Sequence, residues 1–111
     1  MKVIRITEAL AELDQVNAEI RHKSFVEEPG YTVGLVSFRS DGAEDRKQIV
    51  HDDKDVVCHI LEGRGQLRVA DEVTPLEPGV LCHIPSGTPH DFSALGSEGL
   101  VLCYSLITIK P

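Results

Sequence analysis

The stretch GVLCHIPSGTPHDFSA, from Gly79 to Ala94, joins an apolar run to a turn rich in proline and glycine. The run LCHI predicts a strand that stops at Pro85, because proline has no backbone N–H for the strand's hydrogen bonds. Gly87 can take a positive φ in the turn, and Pro89 restricts the backbone just before His90. The pattern therefore predicts a tight turn that aims the His90 imidazole in a fixed direction, as a ligand or a proton-transfer group requires.

The tripeptide Cys-His-Ile occurs in this stretch and again in VCHILEG. Successive side chains of a strand point to opposite faces, so Cys58 diverges from His59, and Cys82 from His83. Two regular strands therefore cannot combine these four side chains into a Cys2His2 zinc site. We expect neighbouring strands with reduced thiols in the core and imidazoles on an outer face. A partner subunit over that face would let His59 and His83 give the assembly a pH response.

Most of the remaining chain consists of short runs rich in Val, Ile, Leu, Phe and Thr, separated by turns such as EEPG, HDDKD, EGRG and LEPG. This spacing predicts an all-β sandwich or closed barrel. Helical periodicity occurs only in TEALAELD, where Thr7 can cap a short helix with Ala9, Leu10 and Leu13 on one side. No linker or change of composition divides the sequence, and we expect one domain over residues 1–111.

The formal net charge of −7 leaves no basic stripe for phosphates or anionic lipids. The N-terminal sequence MKVIRITEAL lacks the apolar run of a signal peptide, and no stretch approaches the roughly 18 apolar residues of a membrane span. We therefore expect a cytoplasmic protein that binds neither nucleic acid nor a membrane.

The opening stretch resembles the second motif of the cupin superfamily, which reads G, five residues, P-x-G, two residues, H, three residues, N. Gly79, Pro85, Gly87 and His90 match this motif without a gap, and Ala94 stands where the family has asparagine. With the first motif, the resemblance covers residues 38–94. It implies an all-β fold, a single cupin jelly-roll β-barrel with a short N-terminal helix.

The first cupin motif reads H-x-H, three or four residues, E, six residues, G. Aligned on Gly63 of LEGRGQLRV, it places the family's second histidine at His51. The first histidine and the glutamate are replaced by Ile49 and Val56. Gly42 lies one residue out of register with the glycine that usually precedes the motif.

Cupins with the complete set hold Fe, Mn, Ni, Zn or another divalent metal through three histidines and a glutamate. The resemblance leaves two of these ligands here, His51 and His90. A one-residue bulge could turn the carboxylate of Asp55 inward to give a 2-His-1-carboxylate set, which suits non-haem Fe(II) or another first-row metal. Alternatively, Asp55 belongs to a solvated acidic turn. Cys58 is a further candidate ligand if it is not simply a packed core thiol.

These alternatives lead to different functions. Without a metal, the barrel is a small-molecule pocket with one imidazole binding a carboxylate or carbonyl and the other transferring a proton. The predicted pocket comprises His51, His90, Ile49, Val56, Cys58, Ile60 and Phe92. With a metal, the chain is an enzyme of the dioxygenase, isomerase or lyase type.

A third hypothesis is an assembly module. The resemblance implies a homodimer formed through sheet augmentation, and the apolar run LVLCYSLITI is expected to be an edge that needs covering. His22 lies among charged neighbours and is predicted to be on the surface. Strand parity does not assign Tyr31 or Tyr104 to the pocket or to an interface.

Overall fold

The computed structural model describes residues 1–39 and 48–109. Its strands in chain order are β1 (Asp14–Gln15), β2 (Ile20–Glu28), β3 (Tyr31–Phe38), β4 (Lys54–Val69), β5 (Glu72–Leu76), β6 (Leu81–Ile84) and β7 (His90–Thr108). All pairings are antiparallel, in the order β1-β2-β3-β7-β4-β5, and β6 also pairs with β4. The prediction of an all-β fold is confirmed. Among the described residues, no helix is long and apolar enough to cross a membrane.

The two longest strands, β4 and β7, pair from Lys54 opposite Thr108 to Val69 opposite His90. Their register shifts next to Gly63, where residues 96–99 of β7 are inserted between consecutive pairs. Gly63 has φ of 80°, and a Cβ there would overlap the carbonyl of Gly99. Glycine is therefore required at this point, where the paired strands change register.

The change of register at Gly63 divides the sheet into two layers. The large layer contains β2, β3, β6, the first part of β4 and the last part of β7, while the small layer contains β5 and the remaining parts of β4 and β7. Their inner faces share one apolar cluster, in which the ring of Phe38 from the large layer lies 5.8 Å from that of Phe92 in the small layer. The core lies between the layers, as burial of apolar surface favours.

Strand parity explains why the cysteines and histidines of the Cys-His-Ile repeat lie on opposite faces of β4 and β6. Cys58 lies opposite Cys82 in the β4–β6 pair, and Cys58 is 1% exposed whereas His59 and His83 are exposed. The prediction of neighbouring strands with diverging thiols and imidazoles is confirmed. His59 lies opposite Leu81, so the two histidines are diagonal neighbours on the outer face.

The N-terminal segment covers the other side of the large layer. It forms α1 (Ile6–Ala9) and a 3-10 turn (Leu10–Glu12). Ala9 and Leu13 are buried against Leu35 in a second apolar cluster that also contacts Cys103. The predicted apolar side is confirmed, but the predicted cap is wrong: Thr7 lies inside the helix, whose N-cap is Arg5 and makes no side-chain capping bond.

The apolar run LVLCYSLITI is not an edge. It lies in β7, which pairs with β3 on one side and with β4 on the other. Its apolar character comes from burial within the large layer, since a central strand of a layered fold packs on both faces. The edge strand inferred from this run is therefore wrong.

Candidate functional site

A cavity of about 300 Å³ lies on the inner face of the large layer. Its volume is at the lower end of the roughly 300–1,000 Å³ typical of small-molecule sites. The described residues that line it are Val16, Ile20, His22, Ser24, Val36, Phe38, Ile49, His51, Val56, Cys58, His90, Phe92, Leu102, Tyr104 and Leu106. Most are hydrocarbon side chains, so the few polar groups determine how a ligand is oriented.

The turn after β6 brings the two candidate histidines together. The N–H of Gly87 donates to the carbonyl of His51 at 2.8 Å, and Gly87 has φ of 78°. Ile49 and His90 exchange backbone hydrogen bonds of 2.8 and 3.0 Å. The imidazole centroids of His51 and His90 are consequently 5.8 Å apart. The three backbone hydrogen bonds therefore bring the two histidine residues side by side.

The His90 ring is fixed in orientation and in tautomer. His90 is 2% exposed, and its Nδ1 lies 2.8 Å from the carbonyl of Thr88. A carbonyl only accepts, so Nδ1–H is the donor, and Nε2 is the one ring nitrogen at which His90 can accept a hydrogen bond. The edge of the ring packs against Phe92, with centroids 6.1 Å apart at 79°.

His51 favours its neutral form. Burial lowers the pKa of its imidazole below the ordinary value of 6.5, and the charges of His90 and Lys54 lower it further, against a smaller opposing effect of Asp53. Near pH 7 the pocket therefore contains a neutral His51 ring that can donate from one nitrogen and accept at the other.

Asp55 lies away from the histidine pair. Its Oδ1 accepts the backbone N–H of Ser86 at 2.9 Å, and its Oδ2 lies 3.1 Å from Nε2 of His83. The hydrogen bond from Ser86, followed by that from His83, lowers the pKa of this carboxyl. The pairing of Asp55 with Ile107 and of Val56 with Leu106 is continuous, so the bulge that would turn the carboxylate inward does not form. Asp55 instead holds the turn from the outer face.

The side chains present do not fit a metal site of the complete cupin type. Ile49 and Val56 occupy two ligand positions with hydrocarbon. Burial raises the pKa of the Cys58 thiol to about 12, so it stays protonated and is a poor ligand. Within residues 1–39 and 48–109, no three His, Cys, Asp or Glu side chains are grouped as a metal would need. Two imidazoles alone are fewer than the three protein ligands of typical catalytic sites.

A second polar group, which the sequence did not reveal, lines the same cavity. His22 was predicted to be on the surface, but it is partly buried and its ring stacks on Tyr104 at 5.7 Å. The hydroxyls of Ser24 and Tyr104 are hydrogen-bonded at 2.9 Å. The only signal in the sequence was that His22 and Ser24 share strand parity with Ile20.

The other predicted pocket residues fall in two places. Ile49, Val56, Cys58 and Phe92 line the cavity, although Ile49 is 55% exposed and stands at its rim. Ile60 does not line the cavity: it is fully buried in the core behind it. Tyr31 is exposed, and Gly42 lies outside the described residues.

Comparisons with known proteins agree with this architecture. KdgF from a Halomonas species has 21% identity and a TM-score of 0.73, over 86% of this chain and 84% of its own. TT1209 from Thermus thermophilus has 22% identity and a TM-score of 0.77, over 97% of this chain and 98% of its own. A predicted oxalate decarboxylase from Thermotoga maritima has 15% identity and a TM-score of 0.70, over 81% of each chain. At these identities the likeness shows the fold alone.

Sequence comparison supplies the family. None of the curated protein sequences matches the chain. The family model described as a cupin domain matches residues 36–108, which include β4 to β7 and the turn that aims His90. The chain therefore belongs to the cupin family.

Proposed function

We propose that this cupin binds a small, largely apolar molecule whose polar group lies between His51 and His90. The observation that carries the proposal is the 5.8 Å pair of imidazoles on the wall of a largely apolar cavity of about 300 Å³. Such a cavity gains affinity from apolar burial, and a few fixed polar groups give it selectivity.

The two imidazoles are complementary. His90 can accept a hydrogen bond only at Nε2, because its Nδ1–H is already bound to Thr88. The neutral His51 ring can donate, so a ligand hydroxyl can give a hydrogen bond to one ring and receive one from the other. The same arrangement could pass a proton to or from a bound molecule near neutral pH.

A metal-dependent enzyme is the alternative. It is favoured by the match of His51 and His90 to two cupin ligand positions and by the bond of His90 Nδ1 to Thr88, which leaves Nε2 as the nitrogen able to act as a ligand. The remaining donors would have to come from the substrate or from water. We favour metal-independent binding because Asp55 is held on the outer face and Cys58 is a neutral thiol.

Metal analysis of untagged protein tests this choice. Preparations of wild type, His90→Ala and His59→Ala are compared, the last as a control because His59 is an exposed histidine of the outer face. We expect substoichiometric metal in all three. A stoichiometric metal that is lost only in His90→Ala would overturn metal-independent binding in favour of the enzyme.

Binding itself is tested by titrating ¹⁵N-labelled protein with a library of one-ring compounds. We expect amide shifts at cavity residues such as Val36 and Leu106 and none on the outer face at His59. His90→Ala should weaken the hits, whereas His59→Ala should not. Shifts absent from the cavity across the whole library would contradict the proposed function.

A further inference from the structure

The hydrogen bond between Ser24 and Tyr104 depends on a glycine, Gly34, which has no side chain to block it. Ser24 on β2 is paired with Gly34 on β3, and Gly34 is paired with Tyr104 on β7. The Tyr104 phenol therefore passes over β3 at Gly34 to reach Ser24 on the next strand, at 2.9 Å. A Cβ at Gly34 would overlap the Tyr104 hydroxyl. Glycine here makes room for a contact between two strands that are not neighbours.

The phenol is held in a single orientation. Tyr104 is 8% exposed, and the His22 ring stacks on it with an interplanar angle of 26°. Together with the bond to Ser24, this stacking fixes both the plane of the ring and the position of its oxygen. A preorganised donor loses little conformational entropy when a ligand binds.

Ser24, Tyr104 and His22 retain hydrogen-bonding groups that a ligand could use. The hydroxyls of Ser24 and Tyr104 carry one hydrogen each, and their mutual bond uses one of the two. Neither hydroxyl, nor either ring nitrogen of His22, has another hydrogen bond within residues 1–39 and 48–109. One O–H and an imidazole therefore remain to meet a ligand in the cavity that all three residues line.

Burial and, to a lesser degree, local charge disfavour an anion beside Tyr104. Burial raises the pKa of the Tyr104 phenol, and the negative charge of Glu27 raises it further, against the opposing bond from Ser24. The phenol thus keeps its proton at physiological pH. Burial, which is the main cause of this shift, also discourages a negatively charged ligand group at the same place, and the charge of Glu27 acts in the same direction.

We propose that His22, Ser24 and Tyr104 form a second polar subsite, which binds an uncharged carbonyl, amide or hydroxyl group of the ligand. This inference rests on the proposed function, since the subsite faces the same cavity as His51 and His90. The ligand would be a compact apolar molecule with an uncharged polar group at this end. A cavity of about 300 Å³ accommodates a one-ring compound, being roughly ten times the volume of about 30 Å³ that a water molecule occupies.

Three matched probes test the subsite: benzamide, benzoate and toluene. They share one ring but present a neutral amide, an anion and no polar group. Each is titrated into ¹⁵N-labelled wild type, Tyr104→Phe and Tyr31→Phe at about pH 8, above the ordinary histidine pKa of about 6.5. Tyr104→Phe keeps the ring that stacks on His22 and removes only the hydroxyl. Tyr31→Phe is the matched control, because Tyr31 is exposed.

We expect benzamide to bind more tightly than benzoate and to lose about three- to tenfold in affinity in Tyr104→Phe, the range of one neutral hydrogen bond. Toluene should bind wild type and Tyr104→Phe equally, and Tyr31→Phe should behave as wild type with all three probes. Equal losses for benzamide and toluene, no loss for benzamide, or tighter binding of benzoate would overturn the subsite alone. Failure of all three probes to shift any cavity resonance would overturn the proposed function with it.

Discussion

Two walls of the cavity position their polar groups by different means. The turn wall, Ile49–His51 with Pro85–His90, is joined by backbone hydrogen bonds from Gly87 to His51 and between Ile49 and His90. The tyrosine wall, His22, Ser24, Gly34 and Tyr104, is joined by a hydroxyl pair and a ring stack. Backbone bonds are available to almost any sequence, whereas hydroxyl and ring contacts need particular side chains.

The difference determines how each wall should respond to substitution. A change of side chain on the turn wall leaves its backbone bonds in place unless it alters the allowed φ and ψ. On the tyrosine wall, a single methyl group added at Gly34 would enter the space that the Tyr104 phenol occupies. The tyrosine wall should therefore be the more sensitive of the two to small changes in volume.

The largest effect is expected from Gly34→Ala. The added Cβ would overlap both the Tyr104 phenol and the backbone carbonyl of Lys23, and backbone cannot move as a flexible side chain does. Overpacking of this kind costs about 1–3 kcal/mol in the free energy of unfolding, measured by denaturant titration. The ring-current shifts that Tyr104 imposes on His22 should also change.

Gly30→Ala is the control for this substitution, because a Cβ at Gly30 meets nothing within 4 Å. The loss of stability should therefore be confined to Gly34→Ala. Equal stability of the two variants would mean that the phenol does not depend on the space above Gly34. The tyrosine wall would then not be more sensitive to small changes in volume than the turn wall.

The two walls also differ in how far the sequence predicts them. The turn wall is encoded within short segments: Pro85 and Gly87 define the turn, and spacing relative to Gly63 picks out His51. The tyrosine wall depends on the register that aligns Ser24 and Gly34, on the consecutive strands β2 and β3, with Tyr104 on β7, which is distant in the chain. No local pattern encodes that alignment, and the prediction that His22 lies on the surface is therefore wrong.

Asp55 shows a related limit. The sequence places its carboxylate near His51, but only the strand pairing decides whether a bulge forms and on which face the side chain lies. The structure uses this side chain to accept the N–H of Ser86 in the turn. The residue type predicts a carboxylate that could reach the two histidines. The strand register instead places it on the outer face, where it contacts the turn.

A smaller effect is expected from Gly87→Ala on the turn wall. Gly87 has φ of 78° but open space around its Cα, so the cost is conformational rather than steric. The left-handed conformation costs an L-residue about 1–2 kcal/mol in the free energy of unfolding, measured by denaturant titration. Gly87→Asn should cost less, because asparagine enters this region more readily. Equal losses for alanine and asparagine would indicate that the turn is held by something other than its φ.

The smallest effect is expected in the titration of His51. Its pKa is lowered by burial and then by the charge of His90, so replacing His90 with asparagine should raise it part of the way toward the ordinary value of 6.5. The measurement is the pH dependence of the His51 Cε1–H resonance in wild type and His90→Asn, with His59→Asn as the control on the outer face. No change in His90→Asn would show that the two rings do not sense each other's charge.

The same shift predicts a pH dependence of stability. A histidine whose pKa is lower in the folded state binds more protons when unfolded, so its contribution is complete above the unfolded value of about 6.5. That contribution is lost as the pH falls through the lowered folded pKa. His51→Gln should therefore flatten the fall in unfolding free energy below about pH 6.5, whereas His59→Gln should leave it unchanged. Because His51 is only partly buried, solvent screening keeps this change smaller than the steric cost at Gly34.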